Sequence, residues 1–241
     1  MNTTSASRAE APATQAAQPQ VLVWDLPVRV FHWLMVASFA GAWLTAESER
    51  WRQVHVTLGY TMAGLVAFRI LWGLVGTKPA RFSNFVRGPA RAARYVASIL
   101  RGDAEHHTGH NPAGALAIVA LLLLAAGVTA SGWAHFNEIG GHAMEEVHEA
   151  AANIMIALVG VHLLGVVVGS WVHRENLARA MLTGRKAGRK QEGARRAWRG
   201  VGIALLAAVL GFWALQWQAA PAGALASSGA AAQRGHDDGD D

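Results

Sequence analysis

The sequence predicts an all-α integral membrane protein with five transmembrane helices. Three observations carry this. Five stretches are apolar over the roughly 20 residues that a helix needs to cross a bilayer. Only 15% of the 241 residues are charged, against about 25% in a soluble domain. The basic residues also gather in particular connections between the apolar stretches, as they do in multi-pass proteins.

The elements follow in chain order. Residues 1–20 are rich in Ala, Thr, Ser and Gln and lack the apolar core of a signal peptide. They read as a disordered arm. The first span is expected over residues 28–46 and the second over 55–76. Residues 87–101 mix arginines with apolar residues at helical spacing, which suits a short helix lying on the membrane surface. The third span, 112–134, is the purest, and the fourth is expected over 148–172. Residues 191–218 read as a basic linker and the fifth span, 201–217. The Ala, Gly and Ser-rich tail, 219–241, reads as disordered. The chain is thus expected to run as an arm, four spans with their connections, a basic linker with a fifth span, and a tail.

Charge sets the orientation. The connection after the second span carries Lys78, Arg81, Arg87, Arg91, Arg94 and Arg101. The connection after the fourth carries Arg174, Arg179, Arg185, Lys186, Arg189, Lys190, Arg195, Arg196 and Arg199. The connection between spans three and four has Glu138, Glu145 and Glu146 and no Lys or Arg. The positive-inside rule puts the N-terminus and both basic connections in the cytoplasm and the C-terminus outside. The formal net charge of +5 then reflects lysines and arginines that meet anionic lipid headgroups, and no nucleic-acid partner is expected.

The chain has no cysteine and 11 histidines. Thiolate-held iron–sulfur clusters, covalent haem attachment through C-x-x-C-H, disulfides and a cysteine nucleophile are excluded. Histidine within a span is costly and points to function. Four histidines lie in the spans or at their edges: His32, His55, His148 and His162. Fourteen residues separate His148 from His162, a rise of about 21 Å and a turn within about 40° of four full turns. The two therefore share one face of the fourth helix at two depths. His32 matches the depth of His162, and His55 that of His148. Two stacked histidine pairs are what two haems, each with two axial imidazoles, would require. A packing or boundary role is the plain alternative for any single one of them.

Two arginines and a further histidine stand near these levels. Arg69 lies fourteen residues after His55, on the same face and at the depth of His32 and His162. It is expected either to meet a haem propionate or quinone oxygen or to snorkel to the boundary. Arg29 has the same two readings. His173, at the end of the fourth span, is an interfacial residue or a quinone contact. His106, His107, His110, His135 and His142 fall in connections and are expected to be solvated. A zinc site from His142, His148 and Glu145 or Glu149 is the rival metal reading, without the H-E-x-x-H spacing of a metalloprotease.

Several runs resemble the bacterial di-haem cytochrome b561 family, which includes the b-type cytochrome subunits of nickel–iron hydrogenases. Val23-Trp24-Asp25-Leu26-Pro27-Val28-Arg29-Val30-Phe31-His32-Trp33 resembles its opening motif. His55-Val56-Thr57-Leu58-Gly59-Tyr60 and Phe68-Arg69-Ile70-Leu71-Trp72-Gly73-Leu74-Val75-Gly76 resemble its second helix. His110-Asn111-Pro112-Ala113-Gly114-Ala115 resembles the start of its third, and His148-Glu149, His162 and His173-Arg174-Glu175-Asn176-Leu177 its fourth. The similarity spans about residues 21 to 190. It implies a four-helix transmembrane di-haem bundle in the bacterial inner membrane, holding two haem b groups through His32, His55, His148 and His162. The fifth helix departs from that four-helix core.

The expected function is electron transfer between the quinone pool and a redox partner, as a quinone-linked oxidoreductase subunit. The partner would be a periplasmic c-type cytochrome or a hydrogenase, and the oligomeric state is left open. Glu138, Glu145, Glu146 and Glu149 would steer a basic partner, or would simply suit a helix N-terminus. A stand-alone oxidoreductase passing electrons from superoxide or another small reductant to quinone is the second reading. A cofactor-free transporter or scaffold is the third, weakened by the lack of an internal repeat.

Overall fold

The computed structural model describes residues 19–103, 105 and 107–219. The expected arm and tail lie almost wholly outside the described residues, as does His106. Five helices are long and apolar enough to cross a membrane: α1 (Leu26–Thr45), α2 (Arg52–Val75), α5 (Pro112–Phe136), α6 (His142–Val172) and α8 (Arg199–Ala219). The short helices are α3 (Phe82–Phe85), α4 (Pro89–Leu100) and α7 (Leu177–Thr183).

Local sequence explains where the spans begin. Asp25 caps α1, its carboxylate accepting from the Val28 amide at 3.0 Å, with Pro27 in the first turn. Asn111 caps α5 in the same way, accepting from the Gly114 amide at 2.7 Å, ahead of Pro112. α6 starts at His142, six residues before the expected span. Gly140 and Gly141, both at positive φ (82° and 55°), form the turn that a residue with a Cβ resists. The helix then runs through polar residues before it becomes apolar.

The bundle pairs α1 with α2 and α5 with α6, joined through α2 against α5. α8 lies on α1. A Cβ at Gly202 would stand 2.7 Å from Leu26 Cγ, so glycine is what lets α8 approach α1 so closely. On α2, Thr61 Oγ1 accepts from Trp213 Nε1 of α8 at 2.8 Å. Leu123, Leu164, Val167, Leu210 and Leu215 are exposed on the outside of the bundle, where lipid would cover them. Exposed tryptophans mark both ends: Trp43, Trp51, Trp133 and Trp217 at one, Trp171 and Trp198 at the other, as interfacial belts do. The first end also carries Glu138, Glu145, Glu146 and Glu149 and is called the acidic end below. The other receives the Lys and Arg-rich connections and is called the basic end.

The basic end is capped by short elements. α4 is amphipathic as expected, with Ala92 and Tyr95 buried and Arg91 and Arg94 exposed, and it packs on α5. A two-stranded antiparallel sheet, β1 (Gln20–Leu22) with β2 (Arg185–Ala187), ties the start of the chain to the segment after α7. Three-residue strands are too short to show a period in sequence. Gly184, at φ 79°, ends α7, and its carbonyl accepts from the amides of Val23 and Trp24 at 2.8 and 3.0 Å. The linker to α8 also folds back here: Ala194 donates to Leu22 O and Leu26 donates to Ala197 O.

Candidate functional site

At the acidic end, His55 and His148 stand together. Their ring centres are 6.1 Å apart and their planes are inclined at 84°. Nδ1 of His55, on α2, lies 2.8 Å from Ala42 O of α1. Nδ1 of His148, on α6, lies 2.9 Å from Val128 O of α5. A carbonyl only accepts, so each Nδ1 carries the proton and each Nε2 keeps a free lone pair. Ser131 Oγ is 3.4 Å from His148 Nδ1. Gly132 makes room for the ring, since a Cβ there would lie 2.8 Å from His148 Cε1.

At the basic end, His32 of α1 and His162 of α6 lie within electrostatic reach of one another. Nδ1 of His32 is buried and has no hydrogen-bond partner. One level further along α1, Ser38 is fully buried and its hydroxyl is also unpartnered. Orphaned polar atoms in the interior are rare, and here they flank the histidine level.

Arg69 is buried at 2% exposure, so the snorkelling alternative does not hold for it. Its Nη2 donates to Ala80 O at 3.1 Å, its guanidinium carbon sits 4.8 Å from the Phe82 ring centre, and its Nη1 is buried without a partner. Phe82 reaches this place because α2 has Gly73, where a Cβ would stand 2.0 Å from the ring. Asp25 is fully buried below. It accepts from Val28 N, from Trp72 Nε1 at 3.1 Å and from Thr77 Oγ1 at 2.6 Å. One carboxylate therefore joins the start of α1 to the end of α2.

Arg29 is spent on α7. Its Nε donates to Met181 O at 3.3 Å and its Nη2 donates to Leu182 O, carbonyls at the helix C-terminus where a cation is favoured. His173 closes the end of α6 on α4, with Nε2 2.9 Å from Tyr95 Oη. Burial pushes the Tyr95 phenol above its ordinary pKa. The structure does not bring together the residues of the zinc alternative. His142 is exposed beside Glu145 and Glu146, the His148 ring is half-buried against α5, and no group of three metal-ligating side chains occurs among the described residues.

His110 departs from the expectation that it is solvated. Its ring is held between Trp24 and Phe85, each with centres 4.4 Å away, and its Nδ1 is buried without a partner. Burial first, then the charges of Arg69, Lys186 and His162, push its pKa down to about 3. It is therefore a neutral imidazole at physiological pH. Trp24 and Phe85 come from two segments distant in sequence, so the neighbours of His110 gave no sequence signal. The Asn111 cap and Pro112 beside it did mark a helix start.

The model of the prokaryotic cytochrome b561 family matches residues 23–184. No curated protein and no solved structure matches the chain. The chain belongs to the prokaryotic cytochrome b561 family. It is an all-α, multi-pass membrane protein and a b-type cytochrome that binds b-type haem and transfers electrons. The matched segment contains α1 to α7 and all four span histidines, and it excludes α8.

Proposed function

We propose that this cytochrome carries electrons between the quinone pool and a redox partner by way of two haems b, one held by His32 and His162 and the other by His55 and His148. The His55–His148 pair carries the proposal. Two imidazoles on opposite sides of one metal, each about 2 Å from it through Nε2, have ring centres about 6 Å apart. The observed 6.1 Å fits that distance. The Nδ1 contacts on Ala42 and Val128 fix the ring orientation and tautomer as partners of metal-bound histidines do. The unpartnered Nδ1 of His32 and hydroxyl of Ser38 support a second group at the other level.

When bound, the two haems supply one-electron carriers at two depths in the membrane. The residues do the rest. His32, His55, His148 and His162 would hold the two haems through imidazole nitrogens alone, which would favour electron transfer over oxygen binding. Residues 21–190 form the di-haem domain, and the basic end with the N-terminus faces the cytoplasm by the positive-inside rule. Arg69 offers a buried positive charge to a haem propionate or a quinone oxygen, and His173 stands at the membrane boundary where a quinone headgroup enters. The acidic end, with Glu138, Glu145, Glu146 and Glu149, suits a basic periplasmic partner such as a c-type cytochrome or a hydrogenase subunit. The test is to add a quinol analogue to the oxidised, purified protein in liposomes. Appearance of the reduced b-type spectrum supports the reading, and no reduction by any quinol contradicts it.

A further inference from the structure

Arg69 and His110 leave two buried nitrogens unused at the same end of the bundle. Arg69 Nη1 and His110 Nδ1 are both buried and unpartnered. The residues between them form a continuous aromatic wall. The Arg69 guanidinium lies over Phe82 at 4.8 Å, Phe82 packs on Phe85 at 5.7 Å, and Phe85 packs on His110 at 4.4 Å. His110 feels the charges of both Arg69 and His162, which puts the pair beside the His32–His162 level.

The nearby charges do not serve Arg69. Lys186 is paired with Glu175 at 3.0 Å. Asp25 acts on Arg69 through its charge, but its oxygens are taken up by Val28 N, Trp72 and Thr77, and no ion pair joins it to Arg69 among the described residues. A buried guanidinium without an ion pair is unfavourable unless a bound anion completes it. His110, held neutral, still has one ring N–H to donate.

We propose that Arg69 and His110 together form a buried seat for one carboxylate, a propionate of the haem at the His32–His162 level. This rests on the di-haem reading above and adds His110 to it as a group that touches the cofactor. Arg69 supplies the charge and one donor, and His110, held between Trp24 and Phe85, supplies a neutral donor. The seat fixes the rotation of that haem about its iron axis. It also raises its potential, because a cation beside the macrocycle favours the added electron.

The test compares Arg69→Gln, His110→Leu and the double variant with the parent protein. Haem content is counted, each haem is titrated for its midpoint potential, and the propionate modes are read by resonance Raman spectroscopy. The haem that survives His148→Ala identifies the signals of the basic-end level. Two haems are expected to remain. In Arg69→Gln the potential of the basic-end haem falls and its propionate mode shifts, with the other haem unmoved. His110→Leu shifts the same mode, and the double variant adds less than the sum. Unmoved potential and mode in the single variants, or equal shifts in both haems, overturn the seat while leaving the di-haem reading intact. A parent protein without two haems fails that reading instead. If Arg69→Gln does not assemble, an unmoved mode in His110→Leu alone overturns the proposal.

Discussion

His55 and His148 stand with ring centres 6.1 Å apart, and each gives its Nδ1 proton to a carbonyl of a neighbouring helix, Ala42 of α1 and Val128 of α5. Four helices therefore meet at one pair of rings. Two of them supply the side chains and two supply the backbone that orients them. Main-chain acceptors hold this geometry through the helices themselves, so no side-chain substitution removes it directly.

Substitution beside the pair does disturb it. A Cβ at Gly132 would lie 2.8 and 2.9 Å from Cε1 and Nδ1 of His148, closer than carbon atoms pack. Gly132→Ala is expected to displace the ring, at an overpacking cost of about 1–3 kcal/mol. It should weaken haem retention at that level by roughly 10–100-fold, the usual effect of disturbing a ligand's support. Haem dissociation followed by apoprotein transfer measures this. The other haem's spectrum is expected to stay unchanged, and equal loss from both levels would contradict the account.

Asp25 is the structural counterpart at the other end. Asp25→Ala removes the N-cap of α1 and strands Trp72 Nε1 and the Thr77 hydroxyl in the interior. The expected loss is on the order of 3 kcal/mol, read as a lower unfolding temperature in detergent. Asp25→Asn keeps an acceptor for the donors and is expected to lie between the parent and Asp25→Ala. An unchanged unfolding temperature in Asp25→Ala would show that the triple contact holds nothing.

α8 is separable from the haem levels. Gly202→Leu places a side chain where Leu26 Cγ already sits within 2.7 Å of a Cβ. It is expected to dislodge α8 from α1, lowering stability by about 1–3 kcal/mol, with haem content and spectra unchanged. Loss of haem in this variant would mean that the fifth helix is part of the cofactor site.

His142 gives a control against the zinc alternative. Its ring is exposed and lies beside Glu145 and Glu146. His142→Ala is expected to leave haem content, potentials and zinc content as in the parent protein, by absorption and elemental analysis.

The spans were legible because a membrane demands about 20 apolar residues in a row, and the histidine levels because helical pitch turns a fourteen-residue spacing into one face. The first six residues of α6 were not, since hydropathy reports what lies in lipid and not where a helix begins. The burial of Asp25 was half legible. Asp-Leu-Pro before an apolar run announces an N-cap, but Trp72 and Thr77 are partners that only the antiparallel pairing of α1 and α2 brings in. His110 falls in a connection, where a solvated ring is the ordinary expectation. Trp24 and Phe85, far away in sequence, close over it. For Arg29 the sequence leaves a propionate and the membrane boundary both open. The short α7, whose Met181 and Leu182 carbonyls accept from Arg29 Nε and Nη2, carries little sequence signal of its own.

Two haems on two histidine pairs are countable per chain by the pyridine-haemochrome method. The expected result is two haems b in the parent protein and one in His148→Ala and in His162→Ala, with different spectra surviving in the two variants. One haem in the parent protein, or two retained in either variant, would contradict it.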